Sequence, residues 1–313
     1  MDGPLIDILK LILGVIAAGL GGDLFVRALT GFSLWLRIAP MIVASTIAAF
    51  ATSSPELSVS VTSAIQGSPE IALGDALGSN VINISLLLAI GLLFSDIRCS
   101  RDAVRRDFGL ALIQPLILLA MSFDGLISRL DGLMLFFLFV TWVGLTVRDA
   151  LHQRAKREVV SLDFPIWKMF GFALTGIVLL IISGNFIVQG SVSFAERFGI
   201  NPFLIGATIV CVGTSMPELA TTLISTWKGQ VEIGLGTVLG SNLFNGLFIV
   251  SVASIISPIK VNLNEVIVTL IFGFISIALS FPNASGVITR KRGVLLLVIY
   301  LMYMVTVIQT NQP

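Results

Sequence analysis

Residues 46–83 read TIAAFATSSPELSVSVTSAIQGSPEIALGDALGSNVIN, and residues 208–245 read TIVCVGTSMPELATTLISTWKGQVEIGLGTVLGSNLFN. The two stretches align without a gap at an offset of 162. Shared apolar composition matches many positions in any two greasy segments. It does not generate a common polar string, T-S-x-P-E followed by G-S-N-x-x-N. The same register runs backward, pairing Pro40 with Pro202 and Gly22-Asp23 with Gly184-Asn185. The chain is an internal duplication.

The solvent around this duplication is a bilayer. Of 313 residues, 56% are hydrophobic and only 12% charged, with a mean hydropathy of +1.00. Soluble domains carry about 25% charged residues, and one soluble core cannot bury this much apolar surface. A net charge of +1 gives no reason to expect nucleic acid. One histidine, His152, and two cysteines, Cys99 and Cys211, make no soft-metal cluster and no disulfide framework, so both thiols read as unpaired. The start, MDGPLIDILK, has no basic region ahead of its apolar run and reads as the lead-in to a first span, not a signal peptide.

A spanning helix needs about 20 mostly apolar residues. Ten segments qualify, at 4–30, 38–66, 69–94, 106–123, 125–147, 166–195, 202–227, 231–256, 262–280 and 293–309. Their short connections leave no room for a soluble domain between spans. With the N-terminus outside, the inner loops collect fifteen of the Lys and Arg residues, including Arg98, Arg101, Arg105, Arg106, Arg148, Arg154, Lys156, Arg157 and Arg290–Arg292. The outer side keeps Lys10, Arg129, Arg197 and Lys260. That asymmetry places both termini outside. Five spans per copy is an odd number, so the second copy enters the membrane inverted. The expected fold class is all-α integral membrane, ten helices as two inverted five-helix repeats. Residues 1–150 form the first repeat, 151–165 a basic cytoplasmic linker, and 166–313 the second repeat. Transporters built this way place their site near the midplane, where the repeats meet.

The repeated string supplies the chemistry. Thr52, Ser53, Pro55 and Glu56 lie in the middle of an apolar span, and Thr214, Ser215, Pro217 and Glu218 repeat them. Proline removes a helix hydrogen bond, which is expected to bare carbonyls over residues 49–52 and beside Cys211. An ionisable group at membrane depth is a functional candidate by default. On the following helix Ser79 and Asn83 share a face, with Asp75 one turn earlier. The second copy has Ser241 and Asn245, but Thr237 in place of Asp75. Gly74, Gly78, Gly236 and Gly240 offer small surfaces for close helix approach. Two carboxylates, hydroxyls, amides and carbonyls make an all-oxygen ligand set, suited to Ca2+ and Na+ and not to softer metals. Two carboxylates neutralise one Ca2+ or two Na+. An empty site would carry two like charges through a poor solvent, which gives obligatory exchange a physical cause.

At these residues the chain resembles the calcium/cation antiporter superfamily, in its sodium/calcium exchanger branch, whose two alpha repeats carry G-T-S-x-P-E and G-S-N-x-x-N/D. The resemblance implies a ten-helix fold with Ca2+ between Glu56 and Glu218. It also implies Na+ ligands among Thr52, Ser53, Ser79, Asn83, Thr214, Ser215, Ser241 and Asn245, with carbonyls at Ala49 and Cys211, and a sliding of the first and sixth helices. Three positions depart from the pattern. Ala51 replaces the usual glycine, Cys211 stands where a small alanine is common, and Asn245 stands where many relatives, including potassium-dependent ones, carry aspartate. The last argues against K+ dependence. Asp75 is the auxiliary candidate that offsets the missing acid.

The expected function is Na+/Ca2+ antiport at the cell membrane by alternating access, with H+/Ca2+ antiport as the alternative. A passive cation channel fits the inverted repeat less well, and no group beyond the two acids suggests an enzyme. Ca2+, Na+, H+ in the alternative, and the lipid bilayer are the expected partners; no cofactor and no obligate protein partner is implied. Ser68-Pro69-Glu70 reads as a helix start, Glu232 as its repeat, Asp23–Arg27 as an i,i+4 pair, and Gln114-Pro115 as a kink.

Overall fold

The computed structural model describes residues 4–65, 67, 69–99, 104–156, 165–197 and 211–310. The expectations for Pro202, the Ser68 cap, Arg101, and the stretches 157–164 and 198–210 lie outside the described residues. The first half runs α1 (Pro4–Leu36), α2 (Pro40–Thr52), α3 (Ser54–Ile65), α4 (Pro69–Phe94), β1 (Ile97–Arg98), α5 (104–121), β2 (Leu126–Ile127) and α6 (Arg129–Lys156). The second runs α7 (Ile166–Arg197), α8 (Cys211–Thr214), α9 (Met216–Trp227), α10 (Val231–Ile256), β3 (Ile259–Lys260), α11 (Leu263–Ser280), β4 (Val287–Ile288) and α12 (Arg290–Thr310). Five of these helices are individually long and apolar enough to cross a bilayer: α1, α4, α6, α7 and α10. In the second segment, and in the part of the seventh described from Cys211 on, one helix ends and the next begins at Ser53 and at Ser215.

Several boundaries move from the sequence expectation, each for a local reason. α1 continues to Leu36 because nothing breaks it before Arg37, whose φ is 60°. The fifth segment starts at Arg129, since Leu126–Ile127 are drawn into a strand. It runs on through Lys156, past residue 150, because charged residues continue a helix as readily as apolar ones once it leaves the membrane. α12 starts at Arg290, whose backbone N–H is held by Asp96 Oδ1 at 2.8 Å.

The four short strands were not expected, and they tie the repeats to each other. β1 pairs antiparallel with β4, and β2 with β3. Each pair joins a loop of one half to a loop of the other. Gly125 and Gly286, with φ of 80° and 76°, make the same turn in both halves, a conformation that costs glycine little. The Gly125 carbonyl accepts from Val261 N–H at 2.9 Å, and the Gly286 carbonyl accepts from Cys99 N–H at 2.8 Å.

The same reciprocity governs the helix contacts. α1 and α7 pack as a close antiparallel pair. Ser183 Oγ donates to the Gly14 carbonyl at 2.8 Å, and a Cβ on Gly21 would stand 2.9 Å from the Gly176 carbonyl. Gly14 is equivalent to Gly176, and Gly21 to Ser183, so the two helices cross on the pseudo-two-fold axis. Asp23 and Lys228 form an ion pair at 2.6 Å that fastens α1 to the turn after α9, and Arg27 adds the expected i,i+4 pair at 2.8 Å.

The glycines sort themselves. A Cβ on Gly236 would meet the Met41 carbonyl at 2.6 Å, and one on Gly240 would collide with the Ser45 backbone. These two let α10 lie backbone-to-backbone on α2. Gly78 has Cys211 Sγ 3.3 Å from its would-be Cβ, while Gly74 has nothing nearby. The small surface is therefore used in the second copy, and Gly74 does not take part. Outside, Leu130, Phe137, Trp167, Leu174 and Leu301 are exposed; inside, Glu56, Asn83, Glu218, Asn242 and Asn245 are buried. This inversion of the soluble pattern is what a lipid solvent selects.

Candidate ion-binding site

The helix breaks build the site. Ser53 (φ −86°, ψ 14°) and Ser215 (φ −81°, ψ 7°) adopt the same bridge conformation, so the two crossings break at one repeated position. The break precedes the proline by two residues. The carbonyls of Ala49 and Cys211 are not bared by it. Ala49 accepts from Ser53 N–H at 2.9 Å and Cys211 from Ser215 N–H at 3.1 Å. The threonine hydroxyls also turn back: Thr52 Oγ1 donates to the Ala48 carbonyl at 3.0 Å, and Thr214 Oγ1 to the Cys211 carbonyl at 3.1 Å. Proline lacks the N–H that would bond four residues back, which releases Ala51 and Gly213 instead. Ala51 lies within the range 49–52 expected from Pro55, whereas the carbonyls of Ala49 and Cys211 are held in helix hydrogen bonds.

Glu56 and Glu218 are both buried, at 1% and 0% exposure. They differ in their partners. Glu218 Oε1 accepts from Ser53 Oγ at 2.8 Å and from Ser241 Oγ at 3.0 Å, one hydroxyl from each repeat. The duplicated counterparts of those hydroxyls are Ser215 and Ser79. Both are buried, and neither Oγ closes a hydrogen bond. Ser215 faces Glu56, whose two carboxyl oxygens are likewise unpaired. Glu218 Oε2, Asn83 Oδ1 and both amide atoms of Asn245 complete a set of buried polar atoms without partners. Buried polar groups are ordinarily paired. A cluster of oxygens left unpaired at the junction of two broken helices is the donor set a hard cation needs. Among the described residues no three Asp, Glu, His or Cys side chains converge on one point.

The structure adds three residues that the sequence reading did not place. Asn80 Nδ2 donates to the Asn242 carbonyl at 3.2 Å, and Asn242 Nδ2 returns the bond to the Asn80 carbonyl at 3.1 Å. These residues are the same position of the two copies. Asn83 Nδ2 donates to Asn242 Oδ1 at 3.1 Å, which fixes that amide and aims Asn83 Oδ1 away. Gln114 Nε2 also donates to the Asn242 carbonyl at 3.2 Å, and its side chain fills the space a Cβ on Gly246 would need. Gln114 therefore braces the amide junction as well as preceding Pro115. The helices widen to π geometry where the motif asparagines sit, over Asn83–Leu88 and Phe244–Ile249, a distortion common at functional positions.

Against this geometry the comparisons are decisive. The sodium/calcium exchanger protein family matches residues 6–148 and 168–309, most of both halves. This chain is a member of the sodium/calcium exchanger family. It is similar to the putative antiporter CaxA of Alkalimonas amylolytica, 34% identical over 81% of this chain and 82% of that one. The sodium/calcium exchanger MaX1 of Methanosarcina acetivorans is 25% identical over 96% of this chain and 98% of its own length. Among solved structures, the sodium-calcium exchanger NCX_Mj soaked with Na+ and Sr2+ superposes with a TM-score of 0.85 at 23% identity, covering 97% of this chain and 99% of that one. The fold expected from the duplication, ten membrane helices in two inverted repeats, is the fold of that exchanger. As a family member the chain is an integral membrane cation antiporter, not an enzyme.

Proposed function

We propose that this antiporter exchanges Ca2+ for Na+ across the cell membrane, with Glu56 and Glu218 as the central ligands. The observation that carries the reading is the unequal state of one duplicated carboxylate. Glu218 is held by two serines, and Glu56 stands with both oxygens unpaired beside the unpaired Ser215 hydroxyl. A buried carboxylate without a partner is costly, and a cation between the pair removes that cost. Ca2+ at this point would draw on both acids. Na+ would draw on the oxygens of Thr52, Ser53, Ser79, Asn83, Thr214, Ser215, Ser241 and Asn245, whose lone pairs remain open to a cation even where the hydroxyl donates its proton. The carbonyls of Ala49 and Cys211 each keep at most one lone pair. Residues 1–150 and 166–313 act as the two inverted repeats, and α1 with α7 slides over the rest. Both termini lie outside, as the loop charges favour.

The test is counter-ion dependence. Proteoliposomes loaded with Na+ should take up radiolabelled Ca2+ when external Na+ is removed. Uptake driven by a pH gradient alone would assign protons instead. Glu56→Gln or Glu218→Gln should reduce exchange to background, and full activity in either variant would overturn the ligand assignment.

A further inference from the structure

One buried acid lies outside the symmetric set. Asp75 is 8% exposed, its Oδ2 closes no hydrogen bond, and its Oδ1 receives the Cys211 thiol at 3.8 Å. It stands one helical turn before Ser79, about 6 Å along α4, toward the end of the helix that begins at Pro69. Thr214 faces it, and both site glutamates lie within electrostatic reach. Across Gly78, Cys211 Sγ and Tyr303 Oη approach the same spot, 3.3 and 3.9 Å from where a Cβ would stand.

The duplication supplies an internal control. The equivalents of Asp75 and Cys211 are Thr237 and Ala49, and that of Tyr303, in the register set by the Gly125 and Gly286 turns, is Trp142. Thr237 Oγ1 satisfies itself on the Ile233 carbonyl at 2.9 Å, Trp142 Nε1 donates to Asp107 Oδ1 at 3.0 Å, and alanine offers nothing. The carboxylate–thiol pair therefore exists in one half only. A thiol is a weak hydrogen-bond donor and compensates a buried carboxylate poorly. As metal ligands the two suit each other well. A tetrahedral ion with sulfur at about 2.3 Å and oxygen at about 2.1 Å holds its ligands roughly 3.6 Å apart, close to the spacing seen.

We propose that Asp75 and Cys211 form a second cation site, on one of the two access routes only, which takes borderline-soft divalent ions of the Zn2+ class in preference to Ca2+. Thr214 and water complete the coordination. An ion lodged there obstructs the path to Glu56 and Glu218 from that side. The inference rests on the antiport reading for its consequence, but not for the binding itself.

Two measurements test it, with Zn2+ and Co2+ as probes. Purified Cys99→Ser protein titrated with Co2+ should develop the thiolate charge-transfer band. The band should vanish in Cys99→Ser/Cys211→Ala and weaken at least tenfold in apparent affinity with Asp75→Asn. In proteoliposomes, Zn2+ should inhibit exchange from one face, and Ala49→Cys/Thr237→Asp should create inhibition from the other. Absence of the band in the Cys99→Ser protein, or Zn2+ block that is equal from both faces or unchanged by Cys211→Ala, would overturn the proposal. The Co2+ titration needs no transport, so failure of Na+ coupling leaves it readable.

Discussion

Single side chains here are judged by what they leave unpaired. Asn242 holds the junction with three groups: its amide donates to the Asn80 carbonyl, its Oδ1 accepts from Asn83, and its carbonyl accepts from Asn80 and Gln114. Asn242→Leu keeps the volume and strips the amide, leaving two buried polar groups unsatisfied at about 1–3 kcal/mol each. The thermal unfolding temperature in detergent should fall, and more than for Asn83→Leu, which loses one such bond. Cys99 makes a contrasting case in the loop after α4. Burial, and secondarily the Glu232 carboxylate, pushes its thiol up to about 12. At pH 8 only about one in ten thousand such thiols is ionised, against about one in four for an ordinary cysteine. Iodoacetamide should therefore alkylate Cys99 at least a hundredfold more slowly in the folded protein than after denaturation, with the rate rising steeply with pH. The acids and serines were legible because polar groups stand out in an apolar span. Asn80 and Asn242 sat inside the same quoted motif and were passed over. The i,i+4 rule selects Ser79 and Asn83 as one face, and the residue between them points about 100° away, toward the axis rather than the ions.

Elements meet here by backbone contact, and the glycines show where. Gly240→Ala drives a methyl into the Ser45 backbone, which no side-chain rotation relieves, whereas Gly74→Ala enters open space. The first should abolish folded, monodisperse protein in detergent chromatography. The second should leave the elution profile and melting temperature unchanged. Sequence alone ranked the two glycines equally, since each copy carries the same G-x-x-x-G spacing. What separates them is the neighbour each meets. The helix breaks were foreseen from proline, but their position at Ser53 and Ser215 was not. Proline announces a missing bond, while the surrounding packing decides which residue takes the strained dihedral. The strands were invisible because two-residue pairings carry no periodicity.

For the whole molecule, the proposed alternating access would move α1 and α7 as one body past the remaining helices. The intimate α1–α7 contact at Gly14, Gly21, Gly176 and Ser183 makes that pair rigid. The Asp23–Lys228 ion pair is a tie between the pair and the rest. In a Cys99→Ser background, Asp23→Cys/Lys228→Cys treated with a short bifunctional maleimide should stop exchange, and the untreated variant should retain it. Exchange that continues after complete cross-linking would rule out sliding at this boundary. The inverted architecture itself was readable from the duplication and the odd number of spans per copy, which is why the global plan emerged before any local contact.

β1 joins β4 as β2 joins β3, and Asn80 meets Asn242 as Asn242 meets Asn80. A surface that binds its own copy in this way is isologous, the rule of a two-fold homodimer. The interface between the two halves thus has the form of one between two subunits that face opposite ways in the membrane. With such an interface the two halves are expected to assemble without covalent linkage. Residues 1–160 and 161–313, expressed together as separate chains, should co-purify and recover exchange, whereas either alone would expose Asn80 or Asn242 to lipid and be degraded.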